Sequence, residues 1–315
     1  MTLRERMTTA LDGNIPDSVL TFELEFQLEE EMFGKTFDYS KISEESILKY
    51  TPKEKDIVVN QYHEHWADLY INKLEYSSVP VPLLLDFGSS LDSIRKFRKY
   101  IGNSAMIHGH GDGTFAIPDG NRMYDFAYRM ADEPEELVAE ALRNAQAAIE
   151  RNKLLIDAGV DCLILCSDYC YNNGPFISPE HFEIYIQPYL AMIIESARKE
   201  GAYTIKHTDG NIMRILDMLV QTNPHAIHSL DPMAKVDIAE VKRLVGDKVA
   251  LCGNVNCALM QTGTDEEVIA SAEYSMNSGK PGGGYIYCTS NVPFKGLPVE
   301  RYKLILNVWR RMRKY

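Results

Sequence analysis

The sequence lacks several features that would each point to a particular class of protein. It has no uninterrupted apolar run of about 18 residues, the length that a transmembrane helix needs. Its first residues, Met1–Arg6, lack the apolar core of a secretory signal peptide. Its 6 cysteines lie in or beside β-like segments rather than in a loop-rich disulfide framework. We therefore expect a cytoplasmic protein with reduced thiols.

Positive charge is also scarce in this chain. Lys and Arg total 33 against 45 Asp and Glu, which gives a net charge of −12 in 315 residues. An acidic surface of this size argues against nucleic acid or an anionic membrane as the main partner. It is compatible with docking onto a basic patch of another protein.

Short β-like runs alternate with longer helical stretches along the chain. Eight such runs predict an α/β fold, a (β/α)₈ TIM barrel that residues 1–315 form as a single domain. A doubly wound sheet is the alternative, but no Gly-x-Gly-x-x-Gly turn follows the first run. The predicted strands are Val19–Phe26, Val81–Phe87, Ser104–His110, Val160–Cys166, Tyr203–His207, Ala226–Leu230, Val249–Gly253 and Tyr285–Thr289.

Helix boundaries are marked between these runs. Pro134 and Pro179 follow polar residues and fit the first position of a helix. The segment Thr264-Asp-Glu-Glu267 fits a capping box. Gly159 and Gly201 stand where helices are expected to end.

The stretch Tyr203–Asn211 has polar residues where a predicted strand ends and a helix begins. In a barrel, the active site lies at the carboxyl ends of the strands. His207 and Asp209 are two residues apart, so in an extended backbone their side chains point the same way. Such a pair can bind a metal ion, or it can orient and shuttle a proton.

Polar residues near other strand ends give further candidates, each with a structural alternative. Glu23 and Glu25 share one face of the first run, where a carboxylate needs a partner or a metal unless it lies exposed past the strand. His108 and His110 alternate with Gly109 and Gly111 in either a binding loop or a simple turn. Asp168 follows the fourth run and is the natural site residue there.

The last three runs add Asp231, Asn254 and Asn291, which can hydrogen-bond a ligand or cap their own loops. Cys288 in the eighth run can join a metal as a thiolate, although a lone strand cysteine is more often simple packing. The expected catalytic residues are therefore His207, Asp209 and Asp168. The expected substrate-binding residues are Glu23, Glu25, His108, His110, Asp231, Asn254 and Asn291.

An ordered series of motifs runs through most of the chain. They are Arg4-Glu-Arg6, Leu11-Asp-Gly13, Gly174-Pro-Phe-Ile-Ser-Pro-Glu180, His207-Thr-Asp-Gly210, Leu251-Cys-Gly-Asn-Val255, Gly263-Thr-Asp-Glu-Glu-Val268, Gly282-Gly-Gly-Tyr-Ile286 and Pro298-Val-Glu300. Together they resemble the uroporphyrinogen decarboxylase superfamily. The resemblance implies a (β/α)₈ barrel with its pocket at the C-terminal mouth, in agreement with the strand count.

The superfamily contains two chemistries. Uroporphyrinogen decarboxylase needs no cofactor, and it grips a polycarboxylate tetrapyrrole with an arginine-rich N-terminal segment and a central aspartate. The matching region here, Phe22–Glu30, is acidic and has no arginine. A pocket edged by Glu23 and Glu25 would repel a substrate that carries many carboxylates. This departure argues against uroporphyrinogen as the substrate.

The other branch is similar to corrinoid-dependent methyltransferases, which bind zinc through a His-x-Cys pair and a later cysteine. His207 matches the first ligand, Asp209 stands in place of the first cysteine, and Asn291 falls about where the later cysteine belongs. The resemblance thus implies a zinc site rich in oxygen and nitrogen, built from His207, Asp209 and either Glu23 or Glu25. With the thiolate that Cys288 can offer, the expected metal ligands are His207, Asp209, Glu25 and Cys288. Oxygen and nitrogen ligands suit a zinc ion that acts as a Lewis acid on an oxygen substrate.

A second hint in the same direction comes from Glu29, Glu44 and His65. Their spacing fits a Glu-x14-Glu-x20-His zinc pattern of ether-cleaving methyltransferases, although so loose a pattern is easily matched in an acidic chain. The leading hypothesis is a methyltransferase that moves a methyl group from a small methylated substrate, such as an aromatic methyl ether, to cobalt. The cobalt belongs to the corrinoid (cobalamin) of a separate partner protein.

Two other hypotheses stay open. A decarboxylase of a tetrapyrrole or another carboxylate would use Asp168 or Asp209 to stabilise the protonated intermediate. A non-catalytic corrinoid or tetrapyrrole carrier would use the same residues only for binding. The substitution His207→Ala separates these cases, because an enzyme should lose turnover while a carrier can keep its ligand.

Overall fold

The computed structural model describes residues 1–34, 36–84 and 86–315. The strands in these parts of the chain are β1 (Leu20–Thr21), β2 (Ser78–Pro80), β3 (Met106–His110), β4 (Cys162–Leu165), β5 (Cys170–Tyr171), β6 (Gly174–Pro175), β7 (Tyr203–His207), β8 (Ala226–Ser229), β9 (Ala250–Val255) and β10 (Tyr285–Thr289). Strands β5 and β6 pair with each other as a short antiparallel hairpin.

The other eight strands form one parallel sheet in the order β1-β10-β9-β8-β7-β4-β3-β2. Between the two ends of this order, the Ser77 amide donates a hydrogen bond of 2.9 Å to the Thr21 carbonyl. The sheet therefore closes nearly into a barrel, and the predicted TIM-barrel fold is confirmed.

Helices connect the strands and surround the barrel. They are α1 (Leu3–Leu11), α2 (Glu29–Phe33), α3 (Glu44–Lys49), α4 (Pro52–Ala67), α5 (Phe87–Ile101), α6 (Arg122–Asp132), α7 (Pro134–Ala158), α8 (Pro179–Tyr185), α9 (Gln187–Lys199), α10 (Leu216–Gln221), α11 (Ile238–Val245), α12 (Cys257–Thr262), α13 (Asp265–Gly279) and α14 (Val299–Met312). A π-helical segment, Asp68–Lys73, extends α4. Among the residues that the structure describes, no helix combines the length and apolar character needed to cross a bilayer.

The predicted helix boundaries agree with the structure. Helices α7 and α8 begin at Pro134 and Pro179, and the capping box of α13 forms between Thr264 and Glu267. Helix α7 ends at Gly159, whose φ of +117° favours a residue without a Cβ atom.

The first two strands differ from the prediction. Strand β1 has only 2 residues, because the chain leaves the sheet after Thr21. The predicted second strand, Val81–Phe87, is wrong: the strand is Ser78–Pro80, and Phe87 already begins α5. Residue 85 of that prediction lies outside the described residues. The Val81 amide still donates to the His108 carbonyl at 2.9 Å, but Pro82 lacks the amide hydrogen that a longer strand would need, so the apolar run continues as a loop.

The barrel interior beneath the mouth is filled by aromatic rings. Phe22 follows β1 and packs edge-on against the rings of His108 and His228, with centroid distances of 5.7 and 6.1 Å. All three side chains are buried. This layer fills the barrel interior, so a ligand at the mouth can meet only this layer and the residues beyond it at the carboxyl ends of the strands.

Candidate metal and substrate site

Three of the predicted residues meet at the mouth of the barrel. Asp168, His207 and Asp209 each offer one ligand atom, and these atoms lie within 4.8 Å of one another. His207 Nε2 lies 3.7 Å from Asp168 Oδ1 and 3.8 Å from Asp209 Oδ1. The backbone amide of Asp209 donates to Asp168 Oδ1 at 2.9 Å, which fixes the two carboxylates relative to each other. Within the described residues, this is the one such group of three.

His207 is oriented by the neighbouring strand. It ends β7 and pairs in register with His228 of β8, and the two Nδ1 atoms lie 2.8 Å apart. Burial, helped by the nearby Lys206 cation, lowers the pKa of His207 to about 3, so the ring is neutral near pH 7. Two neutral rings share one hydrogen between these nitrogens. When His207 donates it, the lone pair of its Nε2 faces the two carboxylates.

Asp209 is held by two side-chain donors. The Ser229 hydroxyl donates to Asp209 Oδ1 at 2.7 Å, and Asn291 Nδ2 donates to the other carboxylate oxygen. Burial and the nearby Asp168 and Asp231 carboxylates nevertheless raise the pKa of Asp209 to about 6. A positive neighbour such as a metal ion would stabilise the ionised form of a carboxyl group in this position.

The sequence-based reasoning missed a buried ion pair behind this group. Lys206 precedes His207 and points the other way, and its Nζ contacts Asp112 Oδ2 and the Ser167 carbonyl, both at 2.9 Å. The Lys206 side chain is fully buried. Because Ser167 immediately precedes Asp168, the pair fixes the segment that carries one of the three ligands. No local pattern marks it, since Lys206 and Asp112 are 94 residues apart.

Two of the expected metal ligands lie outside the group of three. Cys288 is completely buried, and burial raises the pKa of its thiol far above the ordinary value, whereas a metal ligand must be a thiolate. Glu25 is exposed and accepts a hydrogen bond of 2.8 Å from Gln27 Nε2. The expected ligand set is therefore corrected for this group. Asp168 joins His207 and Asp209, and neither Glu25 nor Cys288 does.

Glu23 also lies away from the mouth. Its carboxyl group accepts hydrogen bonds from the Thr289 hydroxyl at 2.6 Å and from Tyr302 of α14 at 3.4 Å. Burial raises the pKa of Glu23 to about 8, so the group is a neutral acid near pH 7. The expectation of a substrate contact is corrected here, because Glu23 joins the packing between β10 and α14.

Three of the expected substrate-binding residues share one cavity of about 280 Å³. His108 lies deepest, with Nδ1 2.9 Å from the Ser78 hydroxyl and Nε2 buried without a partner. Burial lowers the pKa of His108 to about 3. His110 is exposed at the end of β3, and Glu25 lines the same cavity from the segment after β1.

Asp231 and Asn291 line a second cavity of about 290 Å³, together with Asp209. Both therefore remain beside the group of three. Asn254 lies elsewhere: its Nδ2 donates to the Leu230 carbonyl at 2.9 Å, and its Oδ1 accepts from Ser275 of α13 at 3.0 Å. The expected ligand contact of Asn254 is corrected, because both polar atoms of its side chain are used inside the fold.

The Glu-x14-Glu-x20-His spacing brings two of its three residues into contact. Glu29 Oε1 and His65 Nε2 approach to 2.6 Å, but their alignment is not that of a hydrogen bond, and both atoms are otherwise buried without a partner. Tyr39 donates to the second oxygen of Glu29 at 3.0 Å. Glu44 is exposed on α3, and no third ligand completes a group with this pair in the described residues.

Comparison with known proteins agrees with this architecture. A chain described as a methyltransferase from Methanosarcina mazei superposes with a TM-score of 0.64 at 14% identity, covering 99% of both chains. At this identity the likeness shows the fold alone.

Two relatives by sequence represent both chemistries of the superfamily. The methylcobamide:CoM methyltransferase MtaA of Methanosarcina barkeri is 22% identical over 243 residues, which is 75% of this chain and 70% of that enzyme. The uroporphyrinogen decarboxylase of Anaeromyxobacter dehalogenans is 26% identical over 235 residues, 73% of this chain and 65% of that enzyme. Residues 71–311 match the uroporphyrinogen decarboxylase (URO-D) family, and the chain therefore belongs to it.

Proposed function

We propose that this chain is a methyltransferase that moves a methyl group from a small methylated compound to the cobalt of a corrinoid protein. The observation that carries the proposal is the group of Asp168, His207 and Asp209 at the barrel mouth. The similarity to an enzyme named for methylcobamide supports the corrinoid as the acceptor. In the reaction, the bond between methyl carbon and donor oxygen breaks as reduced cobalt supplies an electron pair to the methyl carbon, and the leaving oxygen takes up a proton.

The three side chains fit zinc as the resident metal. In a tetrahedral site with bonds of about 2.0–2.2 Å, two ligands lie about 3.3–3.6 Å apart. The separations of 3.7 and 3.8 Å between His207 Nε2 and the two carboxylates are close to this value and too long for hydrogen bonds. Zinc bound there would supply a Lewis acid to the donor oxygen.

The residues around the ligands would hold them in place. His228 fixes the ring of His207, while Ser229 and Asn291 fix the carboxylate of Asp209. Such outer contacts set the orientation of a ligand and its affinity for the metal. Because His228 and Ser229 are completely buried, the group is supported from below by the packed barrel and meets solvent only at the mouth.

A carboxy-lyase is the alternative within the same family, and the charge of the mouth argues against it. Neither mouth cavity is lined by Arg or Lys in the described residues. Glu25 lines one of them, and Asp209 and Asp231 line the other. A substrate with several carboxylates would meet repulsion there.

The first test is metal content by mass spectrometry on untagged protein. We expect near-stoichiometric zinc in the wild type, a clear loss in His207→Ala and no loss in His181→Ala, a matched change of an exposed histidine on α8. If the protein holds no metal even after zinc is added, the result would contradict the proposed zinc site. It would favour metal-free decarboxylation or simple ligand binding instead.

The second test follows the methyl group. The protein, a methylated donor and a reduced corrinoid protein are mixed, and formation of methylcobalt is followed by absorbance. We expect methylcobalt with the wild type and none with His207→Ala. Conversion of a porphyrinogen without any methylcobalt would contradict the proposal.

A further inference from the structure

An aromatic cleft opens at the same end of the barrel as the group of three, and it contains residues that no motif singled out. It is the cavity of about 280 Å³ that His108, His110 and Glu25 line. One part of its lining comes from α4 and the π-helical segment: Tyr62, Trp66 and Tyr70. Another part comes from the residues at and after β2, including Val81 and Leu83.

The aromatic part is a fixed wall. Tyr62, Trp66 and Tyr70 are spaced four residues apart, so their side chains lie along one side of the helix. The Trp66 centroid lies 5.1 Å from that of Tyr62 and 4.8 Å from that of Tyr70, and the ring planes are tilted by 55° and 64°. Trp66 Nε1 also donates to the Pro80 carbonyl at 2.8 Å. Because these three rings pack against each other, they form one continuous apolar wall, and Phe26 adds a further ring to the lining from the segment after β1.

The polar groups of the cleft set its charge. Glu25 is the one acidic residue in its described lining, which contains no Lys or Arg, and burial keeps His108 neutral near pH 7. His110 ends β3, and only β4 separates β3 from β7, which ends in His207. The cleft therefore opens at the same end of the barrel as Asp168 and Asp209, which add two more carboxylates to the mouth.

We propose that this cleft binds the ring of an uncharged aryl methyl ether, that Trp66 forms the main contact, and that Glu25 excludes carboxylated analogues. The inference rests on the proposed methyl transfer and deepens it by naming the class of donor. A flat ring gains contact area and favourable ring packing on a single aromatic wall. A quaternary ammonium would also gain from ring faces and from the Glu25 carboxylate, so direct comparison with such a cation tests the choice of an uncharged donor.

The cleft provides its own probe. The chain has 2 tryptophans. Trp309 is only 2% exposed and donates to the Val19 carbonyl, whereas Trp66 lines the cleft. Titration with 2-methoxyphenol should therefore change the fluorescence of Trp66 in a saturable way. Calorimetry on the same samples gives the dissociation constant without relying on the optical signal.

Substitution at an exposed position avoids loss of folding. Leu83 is 53% exposed, so Leu83→Glu should fold while adding a second carboxylate to the cleft. We expect at least tenfold weaker binding of 2-methoxyphenol. Leu154→Glu is the matched control on α7, where the leucine is 45% exposed and does not line the cleft. Equal affinity of the Leu83→Glu and Leu154→Glu proteins would overturn the proposal.

The charge rule is tested with two further probes at pH 7. We expect 4-hydroxy-3-methoxybenzoate to bind at least tenfold more weakly than 2-methoxyphenol. Phenyltrimethylammonium, which the Glu25 carboxylate would attract, tests the cationic alternative. Glu25→Gln should reduce the penalty for the benzoate relative to 2-methoxyphenol. Stronger binding of either charged probe by the wild type would overturn the choice of an uncharged donor.

Failure of this inference differs from failure of the proposed function. If methylcobalt forms from some donor but Leu83→Glu leaves the KM for that donor unchanged, the cleft is not the donor site and the methyltransferase stands. If 2-methoxyphenol binds in the cleft but no methylated donor yields methylcobalt, the function is wrong and the binding site stands.

Discussion

Replacement of Lys206 by methionine should destabilise the protein strongly. Methionine has a similar length and keeps much of the packing, but it removes the cation that faces Asp112. The Asp112 carboxylate then stays buried, although Oδ1 still accepts from the Thr114 amide at 2.9 Å and Oδ2 from the Ser167 amide at 3.0 Å. Breaking a buried pair by removing one partner costs about 3–5 kcal/mol. The Tyr169 ring, whose centroid lies 4.0 Å from Lys206 Nζ, also loses its cation contact.

The assay is urea unfolding at pH 7 followed by circular dichroism. A loss of about 3–5 kcal/mol is a large part of the stability of about 5–15 kcal/mol that is typical of a domain. Lys303→Met is the control, since Lys303 forms an exposed pair with Glu300 and should change stability by about 0.5 kcal/mol or less. The double variant Lys206→Met/Asp112→Asn should lose less than Lys206→Met, because no buried charge remains unpaired.

The pH dependence gives an independent check of the same reasoning. Burial alone would raise the pKa of Asp112, but Lys206 and the hydrogen-bond donors hold it at about 2. The pair therefore stabilises the wild type above the ordinary pKa of an aspartate, and this contribution is lost as the pH falls toward 2. Without Lys206 the pKa should rise above its ordinary value, so the difference between wild type and variant should shrink from pH 7 to pH 4. A loss below about 1 kcal/mol at pH 7, or a difference that grows toward pH 4, would refute the argument.

Three further predictions concern the neighbourhood of the site. Burial raises the pKa of Glu23 to about 8, so its neutral form stabilises the fold most at low pH, and this contribution is lost as the pH rises through 8. Glu23→Gln should remove this fall in stability. Melting temperatures of wild type and variant at pH 6 and pH 9 will show it. His228→Ala should weaken zinc binding by about 10–100-fold in a competition assay, because the His207 ring loses its orienting contact. Asn291→Ala should lower metal affinity or methyl transfer by a similar factor through Asp209, and an unchanged variant would show that the Asn291 contact is dispensable.

Much of the fold follows from local patterns in the sequence. Six of the eight predicted strands overlap barrel strands of at least four residues, because a strand buried on both faces reads as a continuous apolar run. The prediction of the second strand failed because prolines interrupt the pairing near Ser78–Pro80. An apolar run in the sequence does not show which backbone amides will have a hydrogen-bond partner. The first predicted strand was too long, because the chain leaves the sheet at Phe22, whose ring fills the barrel interior.

The candidate site could be predicted only in part. His207, Asp209 and Asp168 follow from one rule, that the polar residues at the carboxyl ends of barrel strands converge. The contributions of Lys206 and His228 depend on contacts between strands that are far apart in the chain.

The sequence by itself determined the alternation of strands and helices, the helix boundaries and the polar strand ends, because each depends on neighbouring residues. Only the tertiary structure decided that Glu23 turns toward α14 and that Trp66 lines a cleft beside His110. The physical reason is that a period of two shows which side chains share a face of a strand. Strand order and closure of the sheet decide which face of a strand meets the barrel interior. They also decide which distant residue lies opposite a given side chain.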